Sequence, residues 1–226
     1  MKAAVIFVHG RYPKTKLGFY KKLCRGKYKI AANGGYKFFE LSKIVPDLII
    51  GDFDSLNKKS LAGLSKRTKV ISHPVQKDKT DSELAIEFCI KQKINIIDIA
   101  MPQVGQPDHF MGLISLLANP KVRKAKVRLV NHKFEIKLVT NQKLRFDGCA
   151  GDLFSIKAVC RPIRLTCIGT EYDAKDLTVQ PWETTALRNR IRLSKATVAI
   201  TGRALVFHYW GKESALFAQK ELINGD

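Results

Sequence analysis

The stretch PDLIIGDFDSL at residues 46–56 places an apolar run, a glycine and two aspartates in direct succession. The run at residues 48–50 is typical of a strand buried on both faces, as in a parallel sheet. Asp52 and Asp54 follow where this strand ends. In an open parallel sheet, ligands bind outside the carboxyl ends of the strands. The stretch therefore predicts a buried parallel strand with acidic side chains at its ligand-binding end.

The same alternation of strand and helix extends from residue 1 to about residue 121. Near-continuous apolar strands that alternate with helices predict a mostly parallel sheet covered on both faces. The predicted strands are AAVIFVH, YKIAANGG, VPDLIIGD, TKVISHP and INIIDIAM. The predicted helices are KLGFYKKLCRG, GYKFFELSK, TDSELAIEFCIKQ and DHFMGLISLLAN.

The sequence pattern changes after Pro120. Short strands with turns between them follow, and no further helix is predicted before residues 213–223. These strands are KVRLVNHKFEIKLV, LRFDGCAGDLFSIKAVC, IRLTCIGTEY, ALRNRIRLS and ATVAITGRALVFHYW. This pattern favours an antiparallel sandwich or barrel, and we take it as an all-β sandwich. We place the boundary between an α/β domain and a β domain near Thr140, which gives domains at residues 1–139 and 140–226.

The chain is strongly basic. Its 226 residues include 40 Lys and Arg against 20 Asp and Glu, for a formal net charge of +20. Such a charge attracts polyanions, including nucleic acid. The basic residues are scattered along the whole chain, however, and no arm concentrates them. This distribution favours a lysine-rich solvated surface over a nucleic-acid interface.

The cysteines and the longest apolar runs indicate the cellular compartment. The five cysteines form no CxxC pair, which predicts reduced and mostly buried thiols in a cytoplasmic protein. They are Cys24, Cys89, Cys149, Cys160 and Cys167. No apolar run approaches the ~20 residues of a membrane helix, so we expect no association with a membrane.

Asp52 and Asp54 have two interpretations. Side chains at positions i and i+2 share one face if the backbone stays extended. Two carboxylates on one face repel each other unless a cation lies between them, and Mg²⁺ bridging to substrate phosphates is the usual cation. Alternatively, one of them caps a polar turn at the end of the strand.

A second acidic group opens the helix TDSELAIEFCIKQ. Thr80 and Glu83 have the spacing of a capping box, so Thr80 is the predicted N-cap. Asp78 and Asp81 then lie at the same sheet edge as Asp52. Asp81 could bind a metal there, or it could only complement the helix dipole.

Two further segments lie between a strand and a helix. The glycines of Asn33-Gly34-Gly35 would let backbone N–H groups approach a phosphate, or they form a simple tight turn. Asp108 and His109 follow in GQPDH, where Asp108 could be a helix N-cap and His109 a packed side chain.

Taken in order, the segments AANGG, PDLIIGDFDSL, QKDKTDSELAI and GQPDHF resemble the thiamine pyrophosphokinase (thiamine diphosphokinase) family. GDFDS followed by the D-x-T-D helix start is the specific part, and the resemblance covers nearly the whole chain. It implies an ATP-dependent, Mg²⁺-dependent transferase with an N-terminal α/β domain and a C-terminal β-sandwich. The family transfers pyrophosphate from ATP to thiamine, giving thiamine diphosphate and AMP. It works as homodimers with sites between the two domain types.

The resemblance also implies roles for individual residues. The implied catalytic residues are Asp52, Asp54, Asp78 and Asp81, of which Asp52, Asp54 and Asp81 are the implied Mg²⁺ ligands. The implied ATP-binding residues are Asn33, Gly34, Gly35, Ser55, Gln76, Lys79, Thr80, Asp108 and His109. The implied thiamine-binding residues are Tyr172, Arg188 and Asn189.

The sequence departs from the family pattern at several of these positions. Asn33 replaces an aspartate of the family, and Gln106 replaces an arginine. Arg188 and Arg190 flank Asn189 where the family has small or acidic residues, and they would repel the cationic thiazolium of thiamine. Two alternatives follow: the same scaffold acting on another alcohol, such as a pterin, or a non-catalytic protein that binds nucleotides or nucleic acid.

Overall fold

The computed structural model of the chain describes residues 2–53, 67–74, 76, 78–103 and 106–211. Its internal contacts divide the chain into two units after Asn131, referred to below as the N-terminal and C-terminal units. The predicted boundary at residues 139 and 140 lies within strand β7 (Phe134–Asp147). The predicted helix at residues 213–223 lies outside the described residues.

The described part of the N-terminal unit contains six paired β-strands. Every pairing between these strands is parallel, as their near-continuous apolar runs predict. The order across the sheet is β6-β5-β1-β2-β3-β4. The strands are β1 (Ala3–Phe7), β2 (Tyr28–Ala32), β3 (Leu48–Gly51), β4 (Lys69–Ser72), β5 (Ile96–Ala100) and β6 (Lys126–Val130).

Four α-helices of this unit are described: α1 (Leu17–Leu23), α2 (Tyr36–Ser42), α3 (Asp81–Lys91) and α4 (Pro107–Ala118). The Oγ1 atom of Thr80 accepts a hydrogen bond from the backbone N–H of Glu83, which confirms Thr80 as the N-cap of α3. Helix α4 has Gln106 at its N-cap, so the reading of Asp108 as an N-cap is wrong. Pro107 starts the helix, because its fixed φ suits the first helical position.

An aromatic cluster fills one side of the N-terminal sheet. The rings of Phe7 and Phe38 are stacked with centroids 3.8 Å apart, and Tyr12 and Tyr20 pack edge to face. The Tyr12 hydroxyl donates a hydrogen bond to the carbonyl of Ala100 at 2.9 Å. The cluster therefore fixes the segment after β1 beside the carboxyl end of β5.

A buried carboxylate lies in the middle of β5. Asp98 is 1% exposed and binds the Nζ atom of Lys27 at 2.5 Å and the Nε atom of Arg128 at 2.6 Å. Burial raises the pKa of Asp98, but the two cations outweigh this effect and hold the pKa below its usual value. The sequence analysis did not identify this residue, although a single aspartate within the run INIIDIAM was a signal for it.

The C-terminal unit is antiparallel throughout the described strands. Besides β7, they are β8 (Leu153–Ala158), β9 (Ile163–Ile168), β10 (Ala174–Val179), β11 (Asn189–Arg190) and β12 (Lys195–Tyr209). Strand β12 pairs with β7 along both its halves, with β9 at residues 197–201 and with β8 at residues 204–209. A register shift between Ile200 and Arg203 separates the two halves. A core that includes Phe154, Leu165 and Val206 lies among these strands.

Strand β10 is absent from the sequence-based assignment. Among the described strands, β10 lies at the end of the sheet order and pairs with β9. Of its six residues, only Val179 is buried. Without a repeating apolar face, an edge strand lacks the alternation on which sequence-based assignment depends.

Among the described residues, no helix is long and apolar enough to cross a membrane.

Candidate active site

Asn33 and Asp52 meet at the carboxyl edge of the parallel sheet. They follow β2 and β3, which are neighbours with Ala32 opposite Ile50. The Nδ2 atom of Asn33 donates a hydrogen bond to Oδ1 of Asp52 at 2.8 Å. An aspartate at position 33 would instead place a second carboxylate against the first, whereas the neutral amide of Asn33 stabilises the Asp52 carboxylate through a hydrogen bond.

The two glycines after Asn33 pass very close to β1. A Cβ atom on Gly34 would lie 2.0 Å from Nδ1 of His9, and one on Gly35 would lie 1.9 Å from the carbonyl oxygen of Phe7. The close packing of this turn therefore explains its glycines without any bound ligand. The turn also places His9, which directly follows the first strand, beside Gly34.

The backbone turns sharply after Asp52. Phe53 has a φ of 61°, in the left-handed region rather than the extended one. Asp52 and Asp54 would share one face only if the backbone between them were extended, and at Phe53 it is not extended. Asp54 and Ser55 themselves lie outside the described residues.

The second predicted acidic segment leaves the same edge from the neighbouring strand. The backbone N–H of His73, just after β4, donates to the carbonyl of Gly51 at 2.8 Å, which keeps this segment beside the end of β3. Asp81 lies in the first turn of α3 and its Oδ1 atom is buried. Gln76 and Asp78 are exposed.

Lys79, a predicted phosphate-binding residue, is engaged with helix α3. Its Nζ atom lies 2.8 Å from both carboxylate oxygens of Glu87, and Lys121 contacts the same carboxylate at 3.1 Å. The hydrogen bond to Glu87 raises the pKa of Lys79. To reach a phosphate, Lys79 would have to exchange this ion pair for one with the substrate.

The predicted metal ligands do not form a closed cluster within the part of the chain that is described. Apart from one group in the C-terminal unit, no three acidic, histidine or cysteine side chains there have ligand atoms within 4.8 Å of one another. Among the described residues, Asp52, Asp78 and Asp81 therefore do not converge to that distance.

Asp108 and His109 lie in the first turn of α4, which follows β5. Both are exposed, and the Oδ1 atom of Asp108 accepts a hydrogen bond from the backbone N–H of His109 at 2.9 Å. Because β5 is parallel to the other strands, this turn also lies at the carboxyl edge of the sheet.

Two of the predicted thiamine-binding residues, Tyr172 and Asn189, contact each other in the C-terminal unit. Asn189 is 8% exposed; its Oδ1 atom accepts from the backbone N–H of Tyr172 at 3.1 Å and its Nδ2 atom donates to the carbonyl of Tyr172 at 2.9 Å. The ring of Tyr172 is left 67% exposed. Asn189 therefore holds the backbone at Tyr172 in place while the Tyr172 side chain stays exposed.

The two arginines beside Asn189 differ in their surroundings. Arg190 lies 3.3 Å from the carboxylate of Glu171 and donates to the carbonyl of Gly151 at 3.1 Å, so an acidic neighbour offsets its charge. Arg188 is exposed, and no ion pair of its guanidinium is present in the described ranges. Repulsion of a cationic ligand would therefore come mainly from Arg188.

Comparison with known proteins agrees with these features. Residues 20–130 match the family described as "Thiamin pyrophosphokinase, catalytic domain". Thiamine pyrophosphokinase of Bacillus subtilis (strain 168) is 30% identical over 96 residues, which are 42% of this chain and 45% of that protein. The sequence match thus spans less than half the length of this relative.

Solved structures extend the likeness to most of the fold. The crystal structure of the Bacillus subtilis enzyme has a TM-score of 0.76 and 22% identity, covering 93% of this chain and 100% of that one. Yeast thiamin pyrophosphokinase has a TM-score of 0.78 and 14% identity, covering 96% and 89%. At such identities the structural likeness concerns the fold, while the sequence match over residues 20–130 concerns ancestry. Residues 20–130, just under half of the chain, therefore match the thiamine pyrophosphokinase catalytic domain, and the fold resembles that of solved thiamine pyrophosphokinases.

Proposed function

We propose that this protein is a thiamine pyrophosphokinase that transfers pyrophosphate from ATP to thiamine, giving thiamine diphosphate and AMP. The observation that carries the proposal is the Asn33–Asp52 pair at the carboxyl edge of a parallel sheet, within the segment that matches the catalytic domain of the family. Ligands of such sheets bind at this edge.

The residues of this edge fit a magnesium ion. Mg²⁺ prefers oxygen ligands and is commonly held by one or two carboxylates together with substrate phosphates. Asp52 and Asp81 supply such carboxylates from neighbouring elements, and Asp54 would be a third. When bound, Mg²⁺ would neutralise charge on the transferred pyrophosphoryl group.

The residues of the chain would contribute mainly by positioning. The thiamine hydroxyl attacks the β-phosphorus of ATP and AMP leaves, so alignment and charge compensation supply most of the rate. The cradle around Asn33, Gly34 and Gly35 would hold the phosphates, with Ser55, Gln76, Lys79, Thr80, Asp108 and His109 around them. A carboxylate, Asp81 or Asp78, would accept the proton of the alcohol.

The acceptor would bind on the exposed ring of Tyr172. Glu171 lies beside it in sequence and offsets Arg190, which leaves a less basic surface than the sequence suggests. We further propose that the protein is a cytoplasmic homodimer, as the family resemblance implies, with ATP and thiamine as its small-molecule partners.

One observation favours a second candidate. Arg188 is exposed and has no ion pair among the described residues. A cation there suits an alcohol that carries negative charge, so the same site could transfer pyrophosphate to an acceptor other than thiamine. A pterin alcohol is one example to include in an assay.

A turnover assay distinguishes these candidates. Purified protein is incubated with ATP, Mg²⁺ and thiamine, and AMP and thiamine diphosphate are measured. Thiamine-dependent AMP formation supports the first proposal, and turnover only with another alcohol supports the second. A lack of turnover together with salt-sensitive binding of nucleic acid would contradict both.

A pair of variants tests the acidic edge. We expect Asp52→Asn to lower kcat/KM on the order of 100-fold or more. Without this carboxylate, Mg²⁺ would be held less well, and the negative charge on the transferred pyrophosphoryl group would be less well neutralised. We expect the same of Asp54→Asn. Asp47→Asn is the matched control. Asp47 precedes the same strand at its other end, where it accepts from the backbone N–H of Lys29 at 2.7 Å. Wild-type turnover in folded Asp52→Asn and Asp54→Asn would refute the assignment.

A further inference from the structure

Three side chains of the C-terminal unit bring sulfur, nitrogen and oxygen atoms together. The potential ligand atoms of Cys149, Asp152 and His208 all lie within 4.8 Å of one another. Cys149 lies in the turn between β7 and β8, Asp152 directly precedes β8, and His208 is near the end of β12. This cluster takes no part in the reaction proposed above.

The cluster is mostly shielded from water. Asp152 is 1% exposed and His208 is 8% exposed, while Cys149 is half-buried. The Nε2 atom of His208 lies 2.7 Å from Oδ2 of Asp152, and Oδ1 of Asp152 accepts from the backbone N–H of Gly211. Asp152 and His208 are therefore held in place by hydrogen bonds, and the half-buried Cys149 lies on the side of the cluster that is open to solvent.

The turn that carries Cys149 is fixed by the backbone. The N–H of Gly148 donates to the carbonyl of Ser194, and the N–H of Gly151 donates to the carbonyl of Ile191, each at 2.8 Å. The N–H of Asp152 closes the turn on the carbonyl of Cys149 at 3.0 Å. The cluster is thus anchored on several sides rather than placed on a free loop.

The donor set is the one that zinc uses. Zn²⁺ binds cysteine sulfur at about 2.3 Å and histidine nitrogen or carboxylate oxygen at about 2.0–2.2 Å, with tetrahedral geometry. Neighbouring ligand atoms in such a site are therefore roughly 3.5 Å apart. Because no separation exceeds 4.8 Å, the ligand atoms would have to close by no more than about 1.3 Å, and the Nε2–Oδ2 pair would have to open slightly.

We propose that Cys149, Asp152 and His208 bind a thiophilic divalent cation of the Zn²⁺ class, with water in the remaining coordination position. The ion takes the place of the proton between Nε2 of His208 and Oδ2 of Asp152, and Cys149 binds as the thiolate. Binding therefore releases protons and grows weaker at low pH. It joins the turn before β8 to the end of β12 and stabilises the C-terminal unit.

The other cysteines compete little with this site. Burial raises the pKa of Cys24, Cys89 and Cys167 to about 12 in each case, so these three stay protonated near neutral pH. Cys160 is exposed and belongs to no cluster of potential ligands in the described chain. It is the matched control for Cys149.

Co²⁺ binding tests the proposal, because thiolate ligation of Co²⁺ produces a charge-transfer band in the near ultraviolet that oxygen ligation at the acidic edge does not. Chelator-treated full-length protein is titrated with Co²⁺ in a Trp182→Phe background. Trp210 is then the only tryptophan, with its ring centroid 5.0 Å from that of His208. We expect the band and the quenching of Trp210 fluorescence to saturate together at one ion per chain.

Two variants and one measurement on the unmodified chain complete the test. Cys149→Ser should abolish the band and weaken binding at least about tenfold, while Cys160→Ser should change neither. If Cys149→Ser does not fold, alkylation mapped by mass spectrometry serves instead. Zn²⁺ should protect Cys149 but not Cys160, and Mg²⁺ should protect neither. A missing band, or equal alkylation of Cys149 with and without Zn²⁺, would overturn the proposal. The result is independent of whether the protein turns over ATP.

Discussion

At the residue scale, Asn33 stabilises the Asp52 carboxylate at the carboxyl edge of the sheet. The family resemblance implies an aspartate at this position, and here an amide donates to Asp52. Without a bound cation, the amide stabilises a carboxylate that a second aspartate would repel. Asparagine at this position therefore stabilises the fold in the absence of metal, whereas an aspartate would attract the proposed Mg²⁺ more strongly.

Asn33→Asp should reverse this balance. We expect the free energy of unfolding to fall by about 1–3 kcal/mol in the absence of Mg²⁺, because a hydrogen bond is replaced by like charges. Added Mg²⁺ should restore much of the loss. Urea unfolding with and without Mg²⁺ measures both effects.

Asn33→Ala is the control for this variant, since it removes the hydrogen bond without adding charge and should not respond to Mg²⁺. If the stability of Asn33→Asp were equally insensitive to Mg²⁺, the proposed cation position beside Asp52 would be wrong.

The glycines of the same turn give a second prediction. We expect Gly35→Ala to destabilise the protein by about 1–3 kcal/mol or more, because its Cβ atom would meet the backbone of Phe7. Gly34→Ala should cost less, because the exposed side chain of His9 can move away. Urea unfolding of both variants checks this ranking.

Gly112→Ala is the matched control. Gly112 lies within α4, where a Cβ atom would meet nothing within 4 Å, and alanine favours the helix by up to about 1 kcal/mol. The packing argument fails if Gly35→Ala is as stable as Gly112→Ala.

At the element scale, buried charges join β5 to β6 and to the segment before β2. Asp98 binds Lys27 and Arg128, and its pKa is held below the usual value. A depressed carboxyl pKa stabilises the fold above the unfolded value of about 3.9. This contribution is lost as the pH falls through the folded pKa.

Asp98→Asn should therefore be strongly destabilised at neutral pH, by about 3–5 kcal/mol, because two cations remain without their buried partner. The difference from the wild type should shrink as the pH falls below about 4. Urea unfolding at a series of pH values measures it. An unchanged difference across this range would contradict the ion-pair explanation.

The exposed pair of Arg164 and Asp176 provides the control. These side chains form an ion pair between β9 and β10, and both are exposed. Solvent screens such pairs, so Asp176→Asn should change stability far less than Asp98→Asn.

At the scale of the whole molecule, the net charge of +20 opposes compaction. Like charges distributed over the entire chain repel one another, and salt screens them as the Debye length falls from about 30 Å at 0.01 M to about 8 Å at 0.15 M. We therefore expect the thermal midpoint to rise with KCl over this range. Thermal unfolding followed by circular dichroism measures it.

The direction of this effect is informative. A falling midpoint would mean that attractive ion pairs, such as the one between Lys79 and Glu87, outweigh the net repulsion. KCl is preferred to phosphate or sulfate, since these anions also strengthen burial by exclusion from the surface.

Much of the N-terminal unit was predictable because its determinants are local. Runs such as Leu48–Gly51 indicate buried parallel strands, and the spacing of Thr80 and Glu83 indicates a helix start. The carboxyl edge at which Asp52 lies follows from the parallel direction of the strands, and Asp81 follows β4 in the first turn of α3. In the C-terminal unit, β10 was not predictable because an edge strand lacks a repeating apolar face.

The sequence by itself determined the alternation of strands and helices in the N-terminal unit and the cap of α3, because neighbouring residues carry these signals. Only the tertiary structure decided which distant side chains meet. Asn33 and Asp52 are 19 residues apart, and Asp152 and His208 are 56 apart. Such pairs depend on strand order and register, which place residues by hydrogen bonding across the sheet rather than by their order along the chain.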